Sequence, residues 1–136
     1  MLSYFKKEYY MNLDLNQVTV SVRNIERSIE FYQALGLKLI VKALPRYARF
    51  ECMGGNSTFS LHESDESGTN NIWLYFETET LDDDINKLQE KGIVFESLPV
   101  DQPWLWREAR LKDPDGNLLI LYHAGHNRKS PPWRLD

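Results

Sequence analysis

Few side chains in this sequence could move a proton or grip a ligand, and they fall into two groups. The titratable candidates are His62, Glu51 and Glu108. The two glutamates take the opposite parity from Phe50, Cys52, Ala109 and Leu111, so they face away from the apolar side of their strands. A histidine near a carboxylate can act as a general base, and all three together could form a small metal site. The plain alternative for His62 is a hydrogen-bonded strand histidine. The second group is aromatic and cationic: Trp73, Tyr75 and Trp106, with Trp104 just ahead, and Arg49 and Arg110. Aromatic rings in a concave site bind flat or hydrophobic molecules. A guanidinium there can hold an anionic group or pair with Glu51 and Glu108. The same rings would also serve to pack one half of the fold, or one subunit, against another. Cys52 is the single cysteine, so no intramolecular disulfide can form. With no histidine or helix start near it in sequence, a buried, inert thiol is expected. His123 shares parity with Leu119 and Leu121, away from that concave side, and His126 follows in the tail.

The elements that must position these groups follow from periodicity. Val18, Val20 and Val22 alternate with Gln17, Thr19 and Ser21, which reads as a half-buried strand. Asn24 is placed to cap a helix carrying Ile25, Ile29, Tyr32 and Leu35 on one face, and Gly36 ends it. Leu37–Val41, Tyr47–Met53 and Thr58–His62 read as three strands, with turns at Pro45 and at Gly54-Gly55-Asn56. After the polar stretch 63–70 the order returns. Ile72, Leu74 and Phe76 alternate with Asn71, Trp73 and Tyr75, and Thr80 is then placed to cap a helix with Asp82, Asp83 and Asp84 in its first turn. Leu81, Ile85 and Leu88 form that helix's buried stripe, Gly92 ends it, and Ile93–Phe95 opens another strand. Last comes a hairpin, Glu108–Leu111 and Leu118–Tyr122, turned by Asp113-Pro114-Asp115-Gly116-Asn117.

The second half repeats the first. Val18 lies 54 residues before Ile72 and Gly36 lies 56 before Gly92, a difference of two in loop length. The expected architecture is α+β: two paired βαβββ modules, 16–62 and 70–123, forming a cup-shaped mixed sheet with helices outside. Residues 1–15 form an N-terminal extension, within which Met11 would serve as a start as well as Met1. Residues 124–136 are a basic tail kinked at Pro131-Pro132, whose Trp133 should dock on the domain or on a second subunit.

The bulk properties exclude several functions. With 42% hydrophobic and 26% charged residues, the 136-residue chain has an ordinary globular composition. A formal charge of −4 argues against a general nucleic-acid or anionic-membrane surface. No apolar run reaches the roughly 18 residues that span a bilayer. The first ten residues lack a leader's apolar core and cleavage site, so a cytoplasmic location is the default.

Val18-Thr19-Val20-Ser21-Val22, Glu26-Arg27-Ser28-Ile29-Glu30-Phe31-Tyr32, Leu35-Gly36-Leu37 and Asp113-Pro114-Asp115-Gly116-Asn117 together resemble the vicinal oxygen chelate superfamily, the glyoxalase, bleomycin-resistance and extradiol-dioxygenase group. The likeness covers residues 16–123 and implies a cup-shaped site and, usually, a homodimer. Metal enzymes of that group hold a divalent ion through four strand positions, mostly His and Glu. The matching positions here are Gln17, Ser60 (two residues before His62), Asn71 and Ile120. Gln is a weak oxygen donor, Ser and Asn are poor replacements, and Ile is no ligand at all. The resemblance therefore implies binding of a small organic molecule in a cleft without metal or other cofactor, for sequestration or resistance. The alternative is an enzyme of the same group, either metal-dependent or using His62 with Glu51 or Glu108 in metal-free acid–base catalysis.

Overall fold

The computed structural model describes residues 10–43, 45–65, 72–112 and 116–136. The chain runs β1 (Asp14–Val22), α1 (Ile25–Leu35), β2 (Lys38–Ala43), β3 (Tyr47–Glu51), β4 (Thr58–Glu63), β5 (Ile72–Glu77), α2 (Leu81–Glu90), β6 (Ser97–Asp101), β7 (Arg107–Lys112) and β8 (Leu118–His123). Helix α1 is bounded by local chemistry. Asn24 accepts a hydrogen bond from the Arg27 amide at its start, and Gly36 takes φ 111° at its end, a conformation costly for any residue with a Cβ. Thr80 stands at the start of α2 without capping it. Its hydroxyl bonds the Asp84 carboxylate instead, at 3.2 Å, and the Thr78 hydroxyl reaches the same carboxylate at 2.6 Å.

All eight strands join one mixed sheet in the order β2-β3-β4-β1-β5-β8-β7-β6. β1 pairs parallel with β4, and β5 pairs parallel with β8. The two four-strand halves meet at the antiparallel β1–β5 pair, so the βαβββ repeat becomes two modules related across the middle of the sheet. Each module buries one strand face under its own helix. Ile25 and Ile29 pack on Ala48, Phe50 and Leu61; Leu81 and Ile85 pack on Ala109, Leu111 and Leu121. Each of the isoleucine, leucine and phenylalanine side chains among them contributes about 1.5–3 kcal/mol. The other strand parity holds a third cluster, built from Tyr75, Trp106, Ile120, Tyr122 and Ala124.

Four expectations need correction. β1 begins at Asp14, three residues before Gln17. β3 ends at Glu51, so Cys52 lies past the strand and is half-buried, not buried. Leu35 completes the helical spacing on α1 but is 64% exposed, because only the first two turns lie over the sheet. Ile93–Phe95 supports the α2 core without being a strand; β6 begins at Ser97, and it tolerates Pro99 because it is an edge strand paired on one side only. Of the hairpin turn, Asp113, Pro114 and Asp115 lie outside the described residues, while Gly116 takes φ 86°.

The C-terminal segment does not trail into solvent. After a short 3-10 turn at Gly125–Asn127 it crosses back to the first module, where the Leu135 amide donates to the Ile40 carbonyl at 2.7 Å. Arg128 is 5% exposed and donates from Nη1 to the Asn16 and Asn56 carbonyls at 3.2 and 2.8 Å. Arg134 pairs with Glu51 at 2.5 Å. Removing residues 128–136 should therefore cost on the order of 3–5 kcal/mol, since several charge-assisted bonds vanish and Glu51 loses its partners. The expected fall in melting temperature is roughly 10–17 °C. A truncated chain melting with the full chain would show the segment to be an appendage.

Candidate functional site

A bulge in β1 sets the floor of the site. The β1–β5 register shifts between Leu15 and Gln17, and the consecutive residues Asn16 and Gln17 are both buried. Asn16 accepts from the Tyr122 hydroxyl at 2.5 Å and donates to Glu77 at 2.8 Å. Gln17 donates from its amide to Ser60 and Thr19 at 2.9 and 3.0 Å and accepts from Thr58 at 2.5 Å. Ser60 then shares a 2.7 Å hydrogen bond with the Tyr47 hydroxyl, which accepts from Arg49 Nε at 2.8 Å. A continuous polar chain thus runs from the middle of the sheet to a buried guanidinium.

Arg49 is only 1% exposed. Its Nη1 donates to the Arg128 carbonyl at 3.1 Å and, more weakly, to the Asn127 carbonyl at 3.4 Å. Its guanidinium carbon stands 4.5 Å from the centre of the Trp106 ring and 5.3 Å from that of Tyr47, within cation–π range. Trp106 in turn donates its indole N–H to the Asn127 carbonyl at 3.1 Å. Both modules and the C-terminal segment converge here.

Above this floor lies a cavity of about 480 Å³, walled mainly by aromatic and aliphatic groups. Trp73, Tyr75, Trp104 and Trp106 come from the second module, Thr19, Val41, Tyr47, Arg49 and His62 from the first, and Trp133 from the C-terminal segment. Trp104 and Trp106 flank Leu105, which takes φ 69°, a left-handed conformation unusual for a leucine. Glu108 lies behind this wall. It is 1% exposed, accepts the Trp104 indole N–H at 2.7 Å, and stands 3.6 Å from Arg110, which lies over Trp73 at 5.6 Å. Burial raises the Glu108 carboxyl above the ordinary range, opposed by its bonds to Trp104 and Arg110. Burial also raises the Tyr75 and Tyr122 phenols, so both act as hydrogen-bonding hydroxyls and not as bases.

The structure thus brings Arg49, Trp73, Tyr75, Trp106, Arg110 and His62 to one cavity. The His62 ring lies beside Trp73, centres 5.9 Å apart. Glu51 has the cavity-side parity but is turned to the tail, pairing with Arg134 at 2.5 Å and Lys129 at 3.5 Å. Burial alone would raise its carboxyl; these two cations hold it below the usual carboxylate range. His62 and Glu51 therefore do not form one acid–base pair. His123 sits with the Thr78 carbonyl at 3.1 Å. Sequence reasoning passed over Tyr47, although its parity with Arg49 marks the same face. No local signal marks the buried seat of Arg128, which only the returning chain creates.

Of the four positions singled out in sequence, the three that the structure describes offer a divalent ion no free imidazole or carboxylate. The Gln17 amide and Ser60 hydroxyl are engaged with each other and with Thr58, Thr19 and Tyr47. Ile120 is buried among the aromatic rings, and Asn71 lies outside the described residues. The guanidinium of Arg49 already places a positive charge on the same hydrogen-bonded chain. Among the described residues, no group of three or more His, Cys, Asp or Glu could hold a metal ion.

Comparison with known proteins identifies the family and the fold. The family model described as Glyoxalase/Bleomycin resistance protein/Dioxygenase superfamily matches residues 14–121. The chain is similar to YraH of Bacillus subtilis (strain 168), at 29% identity over 129 residues, covering 81% of this chain and 98% of that protein. It is also similar to the trivalent organoarsenical cleaving enzyme of Bacillus sp. (strain MD1), at 31% identity over 118 residues, covering 79% and 71%. Methylmalonyl-CoA epimerase from Mycobacterium tuberculosis superposes with a TM-score of 0.70 at 20% identity, over 89% of this chain and 94% of that one, a likeness of fold.

The buried Glu108 makes a pH prediction. Its folded-state pKa is raised, so the native state holds this proton more tightly than the unfolded chain does. Its contribution to stability is complete below the ordinary carboxylate pKa and is lost as pH rises through the folded value. Glu108→Gln keeps an acceptor for Trp104 and cannot ionise. Its melting temperature relative to the native chain should therefore become more favourable as pH rises above the ordinary carboxylate value of about 4. A difference that does not change with pH would mean the carboxyl is solvated.

Proposed function

This chain belongs to the Glyoxalase/Bleomycin resistance protein/Dioxygenase superfamily, and from that premise we propose that it binds a small organic molecule in the aromatic cavity, without a metal, as a sequestering or resistance protein. The observation that carries this reading is the cavity itself. At about 480 Å³ it falls in the range of small-molecule sites, and its wall is indole and phenol rings around a fixed guanidinium. The hydrogen-bonded Gln17–Ser60 pair and the apolar Ile120 favour a binding role over metal chemistry. A cytoplasmic site of action and a homodimer belong to the same proposal. Phe31 and Leu35 on α1, 60% and 64% exposed, offer a second copy an apolar surface. Among the described residues, no helix is long and apolar enough to cross a membrane.

The second reading is an enzyme. One relative is named for cleaving trivalent organoarsenicals. In this chain the supporting observation is Glu108, a carboxyl kept above its ordinary range directly behind the wall. A protonated acid there could serve proton transfer if Trp104 moved aside. Stoichiometric, tightly bound Zn, Ni, Mn or Fe in purified protein would favour a metal-dependent version and displace the binding reading.

A thermal-shift screen of small metabolites and antibiotics, followed by tryptophan fluorescence, tests the proposal. A true ligand at about a hundred times its Kd adds roughly 2.7 kcal/mol, a clear rise in melting temperature, and should quench indole emission saturably. Trp73→Ala, at a half-buried position, should weaken such a ligand at least about tenfold while the protein still melts cooperatively. Absence of stabilisation by every compound would defeat the binding reading.

A further inference from the structure

If the cavity binds a small molecule, as proposed above, its charge balance narrows the class of that molecule further than its shape does. Arg49 lines the cavity and is almost wholly removed from water. A guanidinium so placed normally has a carboxylate partner, because an unpaired buried charge is costly. Among the described residues, no carboxylate lies within ion-pair distance of Arg49; its partners are the neutral Tyr47 hydroxyl, two backbone carbonyls and two aromatic faces. Arg110 brings a second guanidinium to the same cavity, 45% exposed at its rim. The nearby carboxylates are withdrawn: Glu51 is held by Arg134 and Lys129, and Glu108 sits behind the wall with Trp104 and Arg110. No carboxylate is among the described residues that line the cavity. Of the two guanidinium groups that line this apolar, ring-walled space, Arg110 has the buried Glu108 at 3.6 Å, whereas Arg49 meets no carboxylate among the described residues.

We infer that the ligand is a planar aromatic carboxylate, its ring lying among Trp73, Trp106 and Trp133 and its carboxylate facing Arg49 and Arg110. The chain's net charge of −4 does not extend to the cavity, which no carboxylate of the described residues lines. Arg49 sets the preferred sign of charge from a fixed position, tied through Tyr47 and the 127–128 carbonyls. Arg110 can adjust, because its contact with Glu108 is a long 3.6 Å. A ligand carboxylate supplies the acceptor oxygens that a bidentate guanidinium contact needs.

Three probes on one ring system separate this inference from the reading beneath it: 2-naphthoate, its near-isostere 2-naphthamide and the cationic 2-naphthylmethylamine, titrated into the native chain by calorimetry and tryptophan quenching. The expected result is saturable binding of the naphthoate, about tenfold or more tighter than the amide, with the cationic amine weakest. Arg110→Gln, at an exposed position, should weaken naphthoate about fivefold or more and narrow its advantage over the amide. Equal or tighter binding of the amide or the amine would overturn the charge assignment while leaving the binding reading intact. Binding of none of the three at about millimolar concentration would overturn both.

Discussion

The buried guanidinium of Arg49 is the constraint on which the rest of the site depends. A positive charge in an apolar interior is tolerated only if its donors are satisfied and its field is met by polarisable or dipolar groups. Here the satisfaction comes from three directions. Tyr47 is its neighbour on β3, the Asn127 and Arg128 carbonyls come from the C-terminal segment, and the Trp106 ring comes from the second module. One side chain thereby links both modules and the segment that follows them.

The same arrangement explains why the C-terminal residues fold back instead of fraying. Glu77 accepts the Ala124 and Gly125 amides at 2.6 and 2.8 Å, which turns the chain sharply as it leaves β8. Arg128 then enters beneath β1, and Arg134 and Lys129 reach Glu51 on β3. The basic character of the tail is thus used locally, against carbonyls and one carboxylate of its own domain. Trp133, left 43% exposed, is delivered to the rim of the cavity as a consequence.

Much of the fold could be read from residue order because its signals are local. Asn24 and Gly36 bracket α1, and Leu118–Tyr122 alternates so that Ile120 and Tyr122 join one cluster and Leu121 another. Parity likewise placed Trp73, Tyr75, Trp106, Arg49 and Arg110 on one face. The misreadings have a common cause. Leu35 fits the helical spacing but extends past the sheet it would cover, and Ile93–Phe95 is apolar because it covers α2's core, not because it pairs. Periodicity reports which side of an element is apolar, but it does not say how far the neighbouring element reaches.

What the sequence determined by itself is the set of groups available: a twice-used βαβββ pattern, a face of aromatic and arginine side chains, and Gln17, Ser60 and Ile120 in place of His or Glu at positions the family resemblance singles out. Only the tertiary structure decided how those groups are partnered. Glu51 and Glu108 have the same cleft-side parity, yet one is claimed by Arg134 from 83 residues away and the other is buried behind Trp104. Arg49 and Glu51 stand two residues apart on one strand face, where pairing would have been natural, and the returning tail separates them. The reason is physical. Parity is a property of the strand and survives any packing, whereas the partner of a charge depends on which distant segment excludes water from it first.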